Sequence, residues 1–310
     1  MTARLSIILV NYRRPADTVD CLTSLRTSTY KNFHAYVVDN ASGDDSVSRV
    51  RHEFPEVTVL ENSANIGFGG GNNVGITRAI ADNAPLILLL NNDTAVNPHT
   101  LARLVAAMDS HPEAGVVGAK IHYYDQPNLL WFAGGVLHPD AGSVRHRGIK
   151  ERDTGQYDLL QPSDFITGCC LLFRREVYER IGGLDPAYFA YYEDADFCLR
   201  ARRAGFTILY EPAASLLHKV SSTSAWDSNV YLYFNLRNRL LFLRKNSSLP
   251  RTILHLPSLL YFYLRQFVRL LFKWRNPAGA RAAWWGLCDG LRGFTGSTGE
   301  GRLHMLRNIS

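Results

Sequence analysis

The sequence PLILLLNNDTAVNP, residues 85–98, decides how the rest of this 310-residue chain is interpreted. Its five apolar residues, 86–90, are too few for a free-standing helix and do not alternate, so they predict a strand buried on both faces. In an open α/β sheet, ligands bind beyond the carboxyl ends of the strands, where a carboxylate can hold Mg²⁺ against a substrate phosphate. The alternative is an Asx-rich turn that leads to a helix with Asn97 as its N-cap. The polar residues that follow the strand are Asn91, Asn92 and Asp93.

Two earlier segments show the same pattern of an apolar strand followed by polar residues. Residues 5–10 predict the first strand, which ends at NYRRP, and HAYVVDNAS predicts a second strand, which ends at Asp39 and Asn40. Predicted helices, one from Pro15 and one over about residues 44–52, separate these strands and a third at 57–60. Alternating strands and helices predict a parallel sheet with right-handed crossovers.

A glycine-rich stretch, NIGFGGGNNVG at residues 65–75, follows the third strand. Its glycines allow positive φ and close approach of a ligand, and the helix that follows offers unpaired N–H groups to an anion. The dinucleotide signature GxGxxG fails because Asn72 occupies the position of the last glycine. The alternative is a glycine-rich helix start without a ligand.

The second half of the chain contains a predicted strand at 165–173 and an acidic helix start at Glu193 and Asp194. Acidic residues favour the first turn of a helix for structural reasons alone. The preceding aromatic residues, YFAYY, support a second interpretation, in which burial raises the pKa of one carboxyl group until it can act as a base. His218 is either a buried structural histidine or a metal ligand. Residues 129–164 predict a β-hairpin or a long loop. Three roles stay open for this region: an active-site lid, an acceptor loop, or irregular structure with no catalytic part.

The cysteines are five in number and show no CxxC spacing, which argues against a disulfide framework and against a zinc site. This composition predicts a reducing, cytoplasmic location. The apolar run at the N-terminus is far shorter than a signal peptide and is interpreted as the first strand.

Charge divides the chain into two unlike parts. Residues 231–310 contain 13 Lys and Arg against two acidic residues, a net charge of +11, whereas residues 1–230 have a net charge of −5. The C-terminal cations lie among Trp, Tyr, Phe and Leu, which suits an anionic lipid surface better than a nucleic acid. We therefore predict a catalytic domain over 1–230 and a basic helical membrane-association region over 231–310.

Residues 253–272 are apolar enough to suggest a transmembrane helix, but Arg265 and Arg269 would each cost roughly 2.5–3.5 kcal/mol at bilayer depth. Together with Lys273 they recur every four residues and so share one helical face. An amphipathic helix lying in the membrane plane is the preferred interpretation, and a helix packed on the catalytic domain is the alternative.

Seven motifs together resemble one family. NYRRP, VVDNAS, NIGFGGGNN, LLLNND, TGCCLLFRR, GGLDPAYFAYYEDADFCLR and LLHKVSS occur in this order over about residues 5–245. The chain thereby resembles the family 2 glycosyltransferases, more closely the rhamnosyltransferase-like branch. The resemblance implies a GT-A fold, which is an α/β fold with a mostly parallel nucleotide-binding sheet flanked by helices. It also implies a nucleotide-diphospho-sugar donor, Mg²⁺ or Mn²⁺, and inversion at the anomeric carbon.

The resemblance also implies roles for single residues. Asp194 matches the catalytic base, and Glu193 would orient either the acceptor or the neighbouring loop. Asp93 lies at the metal position, where many relatives carry a second carboxylate, and His218 would complete the metal shell. The residues that would bind the donor are Val10, Tyr12, Asp39, Asn65, Gly67, Asn72, Asn91 and Asn92.

The sequence thus predicts a metal-dependent, inverting glycosyltransferase on the inner face of the cell membrane. Its donor would be a dTDP- or UDP-sugar, with L-rhamnose as the leading candidate, and its acceptor polyprenyl-diphosphate-linked or a polysaccharide. Two alternatives stay open: a sugar nucleotidyltransferase, and a membrane-bound scaffold that binds nucleotide sugars without catalysis.

Overall fold

The computed structural model describes residues 4–220, 228–298 and 306. These residues form two compact units. The first, called here the α/β unit, contains the described residues up to 136 together with 145–185 and 194–220. The second, the helical unit, contains 137–144, 186–193 and the described residues from 228 onward. Residues 221 and 222, at the end of the LLHKVSS motif, lie outside the described residues.

The first half of the α/β unit alternates strands and helices, as the sequence predicts. Helix α1 begins with Pro15 at its first position, where the missing N–H costs nothing. All five residues of β4 are buried, which confirms the strand predicted at 86–90. The elements are β1 (Leu5–Asn11), α1 (Pro15–Arg26), β2 (Phe33–Asp39), α2 (Ser46–Glu53), β3 (Thr58–Glu61), α3 (Gly67–Ala81) and β4 (Leu86–Leu90).

The elements that follow depart from the sequence prediction at two places. Asn97 does not cap the next helix, which begins at Thr100 after His99, because a short strand precedes it. The strand predicted at 165–173 begins only at Cys170, since the Cys170 amide closes a turn onto the carbonyl of Thr167 at 3.2 Å. The elements are β5 (Thr94–Val96), α4 (Thr100–Ser110), β6 (Ala114–Tyr123), β7 (Leu130–Phe132), β8 (Gly135–His138), β9 (Ser143–His146), β10 (Gln161–Pro162), β11 (Cys170–Arg174), α5 (Arg175–Ile181), α6 (Glu193–Arg203) and β12 (Thr207–His218).

The central sheet has the strand order β10-β12-β6-β11-β4-β1-β2-β3. Strands β3, β2, β1 and β4 are parallel, and β12 is parallel to β6. Strand β11 runs antiparallel to both its neighbours, so its first residue, Cys170, pairs with Leu90 at the end of β4. The carboxyl ends of β1, β2 and β4 therefore share one edge with the start of β11, which confirms the predicted α/β class.

The hairpin predicted within residues 129–164 is present as β8 paired with β9. In the same region, the loop that contains Asp153 and Asp158 forms ion pairs with residues of β6. The ammonium group of Lys120, a residue only 4% exposed, contacts the carboxylates of Asp153 and Asp158, and His122 Nε2 lies 2.8 Å from Asp153 Oδ2. Burial disfavours the ionised form of Asp153, but hydrogen bonds from His122, the Gly155 amide and Lys120 outweigh it, so the pKa of Asp153 falls to about 2.

We expect this depressed pKa to make stability depend on pH. Ionised Asp153 stabilises the fold above its unfolded pKa near 4, and the stabilisation is lost as the pH falls from 4 through about 2. Asp153→Asn should lower the free energy of unfolding at pH 7 by about 2 kcal/mol and flatten its pH dependence below 4, measured by urea unfolding. Asp158→Asn, at a carboxylate 62% exposed, is the matched control and should cost less than about 1 kcal/mol. Equal losses would contradict the assignment.

The helical unit is built from α7 (Asn229–Asn246), α8 (Leu249–Val268) and α9 (Pro277–Arg292), with a π-helical turn at Arg269–Lys273. Residues of all three helices form one apolar cluster: Leu232, Leu236, Leu240, Leu243, Leu259, Tyr263, Leu270, Ala280 and Ala283. Among the described residues, no helix combines the length and the apolar character needed to cross a membrane.

A strained loop, residues 186–193, belongs to the helical unit and leads into α6. Phe189, Tyr191 and Tyr192 have φ values of 65°, 68° and 79°, in the left-handed region that side chains with a Cβ avoid. Buried Asn238 holds this loop, since its amide nitrogen donates to the carbonyls of Tyr188, Ala190 and Tyr191 at 2.7–2.9 Å. The sequence gives no sign of this arrangement, because the donor and the loop are about 50 residues apart.

Candidate functional site

A buried hydrogen-bond network links the ends of β1, β2 and β4. Asn11 Nδ2 donates to Asp39 Oδ1 at 2.8 Å, and Asn11 Oδ1 accepts from the hydroxyl of Thr18 at 2.8 Å. Asn92 Nδ2 donates to the same hydroxyl at 2.9 Å. Asp39 also accepts from the amide and the hydroxyl of Ser42 at 2.9 and 2.5 Å. The network fixes the three strand ends relative to one another. Two of the predicted donor-binding residues belong to it: Asn92 donates a hydrogen bond, and the Asp39 carboxylate accepts several.

Three members of this network, Asn11, Thr18 and Ser42, are missing from the sequence prediction. Asn11 and Ser42 lie within the motifs NYRRP and VVDNAS, directly after apolar strands. That position could have identified them as candidate site residues. Thr18 lies inside α1 and is fully buried, and nothing in the local sequence distinguishes it from a core residue.

The glycine-rich stretch forms the start of α3, and only Gly67 of its first four glycines has a positive φ, +80°. The expectation that these glycines supply positive φ is therefore wrong for Gly69, Gly70 and Gly71, which are helical. Gly71 serves close packing instead, since a Cβ added there would lie 2.9 Å from Cγ1 of Val10. The missing side chain at Gly71 lets α3 approach the end of β1 directly.

The predicted donor-binding residues of this stretch make local hydrogen bonds. Asn65 Oδ1 accepts from the amide of Gly67 at 3.0 Å, and Asn72 Nδ2 donates to the carbonyl of Phe68 at 2.9 Å. Asn40 Nδ2 donates to the Gly67 carbonyl at 2.9 Å, which ties the end of β2 to the start of α3. Tyr12, half-buried after β1, has the Arg13 guanidinium 5.2 Å from its ring centre. The Asn40–Gly67 hydrogen bond and the approach of Gly71 to Val10 place the start of α3 beside the ends of β1 and β2.

Asp93 and His218 lie against each other although they are 125 positions apart. Antiparallel pairing of β5 with β12 places Thr94 opposite His218, and His218 Nε2 lies 3.1 Å from Asp93 Oδ1. Both residues are buried: Asp93 is 6% exposed and His218 is 2% exposed. The pair lacks the alignment of a hydrogen bond, and within the described part of the chain neither His218 Nδ1 nor Asn91 Oδ1 has a hydrogen-bond partner.

These atoms fit a divalent cation. A carboxylate oxygen, an amide oxygen and an imidazole nitrogen are all donors that Mg²⁺ or Mn²⁺ accepts. Among residues 4–220 and 228–298, no group of three or more His, Cys, Asp or Glu side chains is placed to hold a metal. Asp93 and His218 would therefore supply part of a shell, and a phosphate-bearing ligand would have to supply the rest. Asn91, two residues before Asp93, offers a further amide oxygen without a hydrogen-bond partner among the described residues.

Asp194 is half-buried in the first turn of α6, and backbone amides hold its carboxylate. Oδ2 accepts from the Gly168 amide at 2.8 Å and Oδ1 from the Ala195 amide at 2.7 Å. Burial raises the pKa of Asp194, and these hydrogen bonds, with that from Thr167, oppose the rise. A half-buried carboxylate with a raised pKa has the character of a general base. Glu193, the preceding residue, is 4% exposed and belongs to the helical unit.

Residues 167–169 connect Asp194 with the end of β4. The Gly168 amide binds the Asp194 carboxylate, and the carbonyl of Cys169 accepts from the Asn91 amide at 3.0 Å. Burial raises the pKa of the Cys169 thiol strongly, and the charges of both Asp93 and Asp194 raise it further. A Cβ added at Gly168 would lie 2.9 Å from the Phe68 ring. The turn at 167–169 thus contacts the start of α6 at Asp194, the end of β4 that leads to Asp93, and the glycine-rich helix α3.

Comparison with known sequences gives a consistent result. The profile described as Glycosyl transferase family 2 matches residues 6–182, more than half of the chain. The chain is 28% identical over 255 residues to a low-salt glycan biosynthesis hexosyltransferase, Agl10, of Haloferax volcanii, with 80% of this chain and 78% of the relative covered. It is 26% identical over 273 residues to the N-acetylglucosaminyl-diphospho-decaprenol L-rhamnosyltransferase of Mycobacterium tuberculosis, with 80% and 86% covered.

Solved structures share the fold at low sequence identity. A mannosyltransferase of Pyrobaculum calidifontis, PcManGT, in complex with GDP-Man and Mn²⁺, matches with a TM-score of 0.57 and 16% identity, over 93% of this chain and 75% of that one. Residues 1–349 of S. aureus TarS in complex with UDP-GlcNAc match with a TM-score of 0.58 and 15% identity, over 94% and 81%. These likenesses confirm the predicted GT-A fold.

Proposed function

Because the chain belongs to glycosyltransferase family 2, we propose that it is an inverting, metal-dependent enzyme that moves a hexose from a nucleotide-diphospho-sugar to an acceptor hydroxyl. The observation that carries this proposal is the turn at 167–169, which holds Asp194 and contacts the strand end that leads to Asp93. Attack by an acceptor hydroxyl on the anomeric carbon requires a base for the hydroxyl and a site for the departing diphosphate, and we assign both to residues around this turn.

The reaction follows from the chemistry of its parts. A sugar hydroxyl is a weak nucleophile at neutral pH, so Asp194 takes its proton as the oxygen attacks the anomeric carbon. The new glycosidic bond forms on the face opposite the donor phosphate, the old C–O bond breaks, and the nucleoside diphosphate leaves with the electron pair. Asp93 and His218 would hold a divalent cation, which would supply positive charge to stabilise that leaving group. One carboxylate acting as base is sufficient, unlike the pair that hydrolytic glycosidases need.

The rest of the donor is assigned to the other strand ends. We assign Asp39 to the pyrimidine base, Val10 and Tyr12 to the nucleoside, and the start of α3 to the diphosphate, because helix N-termini favour anions. Asn65, Gly67 and Asn72 shape that helix start, whereas Asn92 donates to Thr18 in the network that joins the strand ends. Glu193, next to the base, is assigned to orienting the acceptor. L-Rhamnose as dTDP-rhamnose is the first donor to test, since relatives include a rhamnosyltransferase of Mycobacterium tuberculosis.

A donor panel tests the proposal. Purified protein is incubated with dTDP-rhamnose, UDP-GlcNAc, UDP-galactose or GDP-mannose, Mg²⁺ or Mn²⁺, and a polyprenyl-diphosphate-linked acceptor. Free nucleoside diphosphate and the anomeric configuration of the product are measured. Acceptor-dependent release with inversion supports the transferase. Formation of diphospho-sugar from nucleoside triphosphate and sugar phosphate would instead identify a nucleotidyltransferase, and donor binding without turnover would identify a scaffold.

We place the acceptor at the inner face of a membrane, with the helical unit as a peripheral contact. Residues 246–288 contain six Lys and Arg and no Asp or Glu. One face of α8 packs into the unit through Leu259 and Tyr263, whereas large apolar side chains on the adjacent faces are exposed. Such a surface, bordered by Arg265 and Arg269, suits the interface of an anionic bilayer. The exposed residues are Leu249, Ile253, Leu254, Leu256, Leu260, Tyr261, Leu264 and Val268.

Vesicle flotation checks this surface. The protein should float with vesicles of phosphatidylglycerol and phosphatidylcholine, and less so as salt is raised. Leu260→Glu with Leu264→Glu should abolish flotation, and Arg265→Ala should weaken binding roughly fivefold, since each cation near an anionic surface contributes about 1 kcal/mol. Leu159→Glu is the matched control, because Leu159 is 77% exposed in the α/β unit. Flotation of the double variant equal to that of the unchanged protein would reject the membrane contact.

A further inference from the structure

Three buried polar atoms on the neighbouring strands β6, β7 and β12 have no hydrogen-bond partner among the described residues. They are the indole nitrogen of Trp131, the hydroxyl of Tyr123 and Nδ1 of His218. Trp131 is 8% exposed and His218 2% exposed. Buried polar atoms in native proteins are nearly always paired, so a group of them at one place calls for an explanation. Tyr123 belongs to no motif considered so far, and Trp131 lies in the 129–164 region without an assigned role of its own.

Strand register places Tyr123 opposite His218, and a ring contact places Trp131 against the same histidine. In the parallel pairing of β6 with β12, Tyr123 lies opposite His218, so both side chains point to the same face of the sheet. The Tyr124 amide donates to the His218 carbonyl at 2.9 Å and fixes this register. Trp131, on β7 beside β6, meets the His218 ring edge to face, with ring centres 4.4 Å apart at 82°. Trp131 also meets the His146 ring, with ring centres 4.6 Å apart at 75°.

The chemistry of the group favours one kind of ligand. An indole N–H can only donate a hydrogen bond, and a tyrosine hydroxyl can donate and accept. Indole and phenol rings supply apolar contact area as well. A pyranose has both the hydroxyl groups to satisfy such atoms and C–H faces to lie against such rings. Pockets that recognise small molecules have this composition, an apolar lining with few well-placed polar groups.

We propose that Trp131 and Tyr123 form a subsite that recognises a hydroxyl group of a sugar ring beside Asp93 and His218. This inference rests on the proposed function and assigns it two substrate-binding residues. The sugar is that of the donor or that of the acceptor, since both carry the same hydroxyl chemistry, and the experiment separates the two.

Two conservative variants test the subsite. Trp131→Phe keeps an aromatic ring against His218 but removes the N–H, and Tyr123→Phe removes only the hydroxyl. We expect each to lower kcat/KM roughly tenfold, as befits the loss of one uncharged hydrogen bond. Tyr30→Phe, at a partly buried tyrosine near Arg4 and Asp109, should leave kcat/KM unchanged. Circular dichroism and thermal melting establish that all three variants are folded.

Calorimetry and kinetics then assign the sugar. If the donor sugar is recognised, both variants lose affinity for dTDP-rhamnose, or whichever donor the panel identifies, and keep their affinity for its nucleoside diphosphate. If the acceptor is recognised, donor affinity is unchanged and the KM of the acceptor rises. In either case a deoxy analogue that lacks the recognised hydroxyl removes the difference between variant and unchanged enzyme. The calorimetric comparison needs no turnover, so failure of the subsite is distinguishable from failure of the transferase proposal.

Folded variants with unchanged donor affinity, unchanged acceptor KM and unchanged kcat/KM would overturn the proposal. Variants that melt at higher temperature and bind both substrates as before would also overturn it. The unpaired polar atoms would then only destabilise the fold and would not bind a sugar.

Discussion

Replacing Asp194 by asparagine is expected to lower the rate of glycosyl transfer roughly 10²–10⁴-fold, the usual contribution of a positioned base. Donor affinity should persist, because the donor is assigned to other strand ends. Burial raises the pKa of Asp194, and the ionised form is the base, so kcat/KM of the unchanged enzyme should fall with decreasing pH at a higher pH than an exposed aspartate would give. The measurements are the pH profile of kcat/KM and calorimetric donor binding.

A matched control separates the loss of the base from a disturbed helix. Asparagine offers one acceptor oxygen where Asp194 uses two, toward the amides of Gly168 and Ala195, so local stability will also fall. Asp164→Asn removes a carboxylate that pairs with Arg202 of the same helix α6 at 2.8 Å. It should leave the rate within about twofold, as expected when an exposed ion pair worth little is lost. Transfer by Asp194→Asn at an undiminished rate would show that another group is the base.

Loss of the charge of Asp93 is expected to have the second large effect. Asp93→Asn should reduce transfer roughly 10²–10³-fold at fixed metal concentration, similar to removing one electrostatic group at a transition state. The concentration of Mn²⁺ for half-maximal activity should rise, since the carboxylate is the only anionic donor of the proposed set. EDTA should abolish transfer, and added Mg²⁺ or Mn²⁺ should restore it. Thermal stabilisation by Mn²⁺ with a nucleoside diphosphate gives a readout that does not depend on turnover, and it should shrink in the variant.

Asp17→Asn serves as the control for Asp93. Asp17 lies 3.0 Å from the ammonium group of Lys219, the residue after His218, so this variant alters charge next to the site without touching the Asp93–His218 pair. It should leave the metal requirement unchanged. Full activity in the presence of EDTA would refute the metal dependence, while transfer by an enzyme that needs no metal would still allow Asp194 to be the base.

Much of the fold was predictable because burial leaves a local pattern. The run 86–90, apolar without alternation, predicts β4 and its polar exit, and the same reasoning gives β1 and β2. Turn details were less predictable. The helix after β4 begins at Thr100 and not at Pro98, because Thr94–Val96 pairs with β12, and pairing between strands so distant in the chain leaves no mark on the local sequence.

The candidate site shows the same division. Polar residues at strand exits, Asp39, Asn91 and Asp93 among them, are visible as interruptions of apolar runs. The sequence does not show that Asn92 donates to Thr18, or that Gly71 serves packing against Val10. A side chain's partner depends on which elements lie beside it, and that is set by the register of the sheet.

The sequence by itself determined the α/β class, the family, and the contrast between an acidic first part and a basic, aromatic second part, because periodicity, motif order and charge are properties of the chain alone. Only the tertiary structure decided that His218 meets Asp93, that one turn at 167–169 joins Asp194 to the end of β4, and that Trp131 and Tyr123 leave polar atoms without partners. The physical reason is that each of these contacts joins residues on different strands and helices. Their distance is fixed by strand pairing and packing, and not by their separation along the sequence.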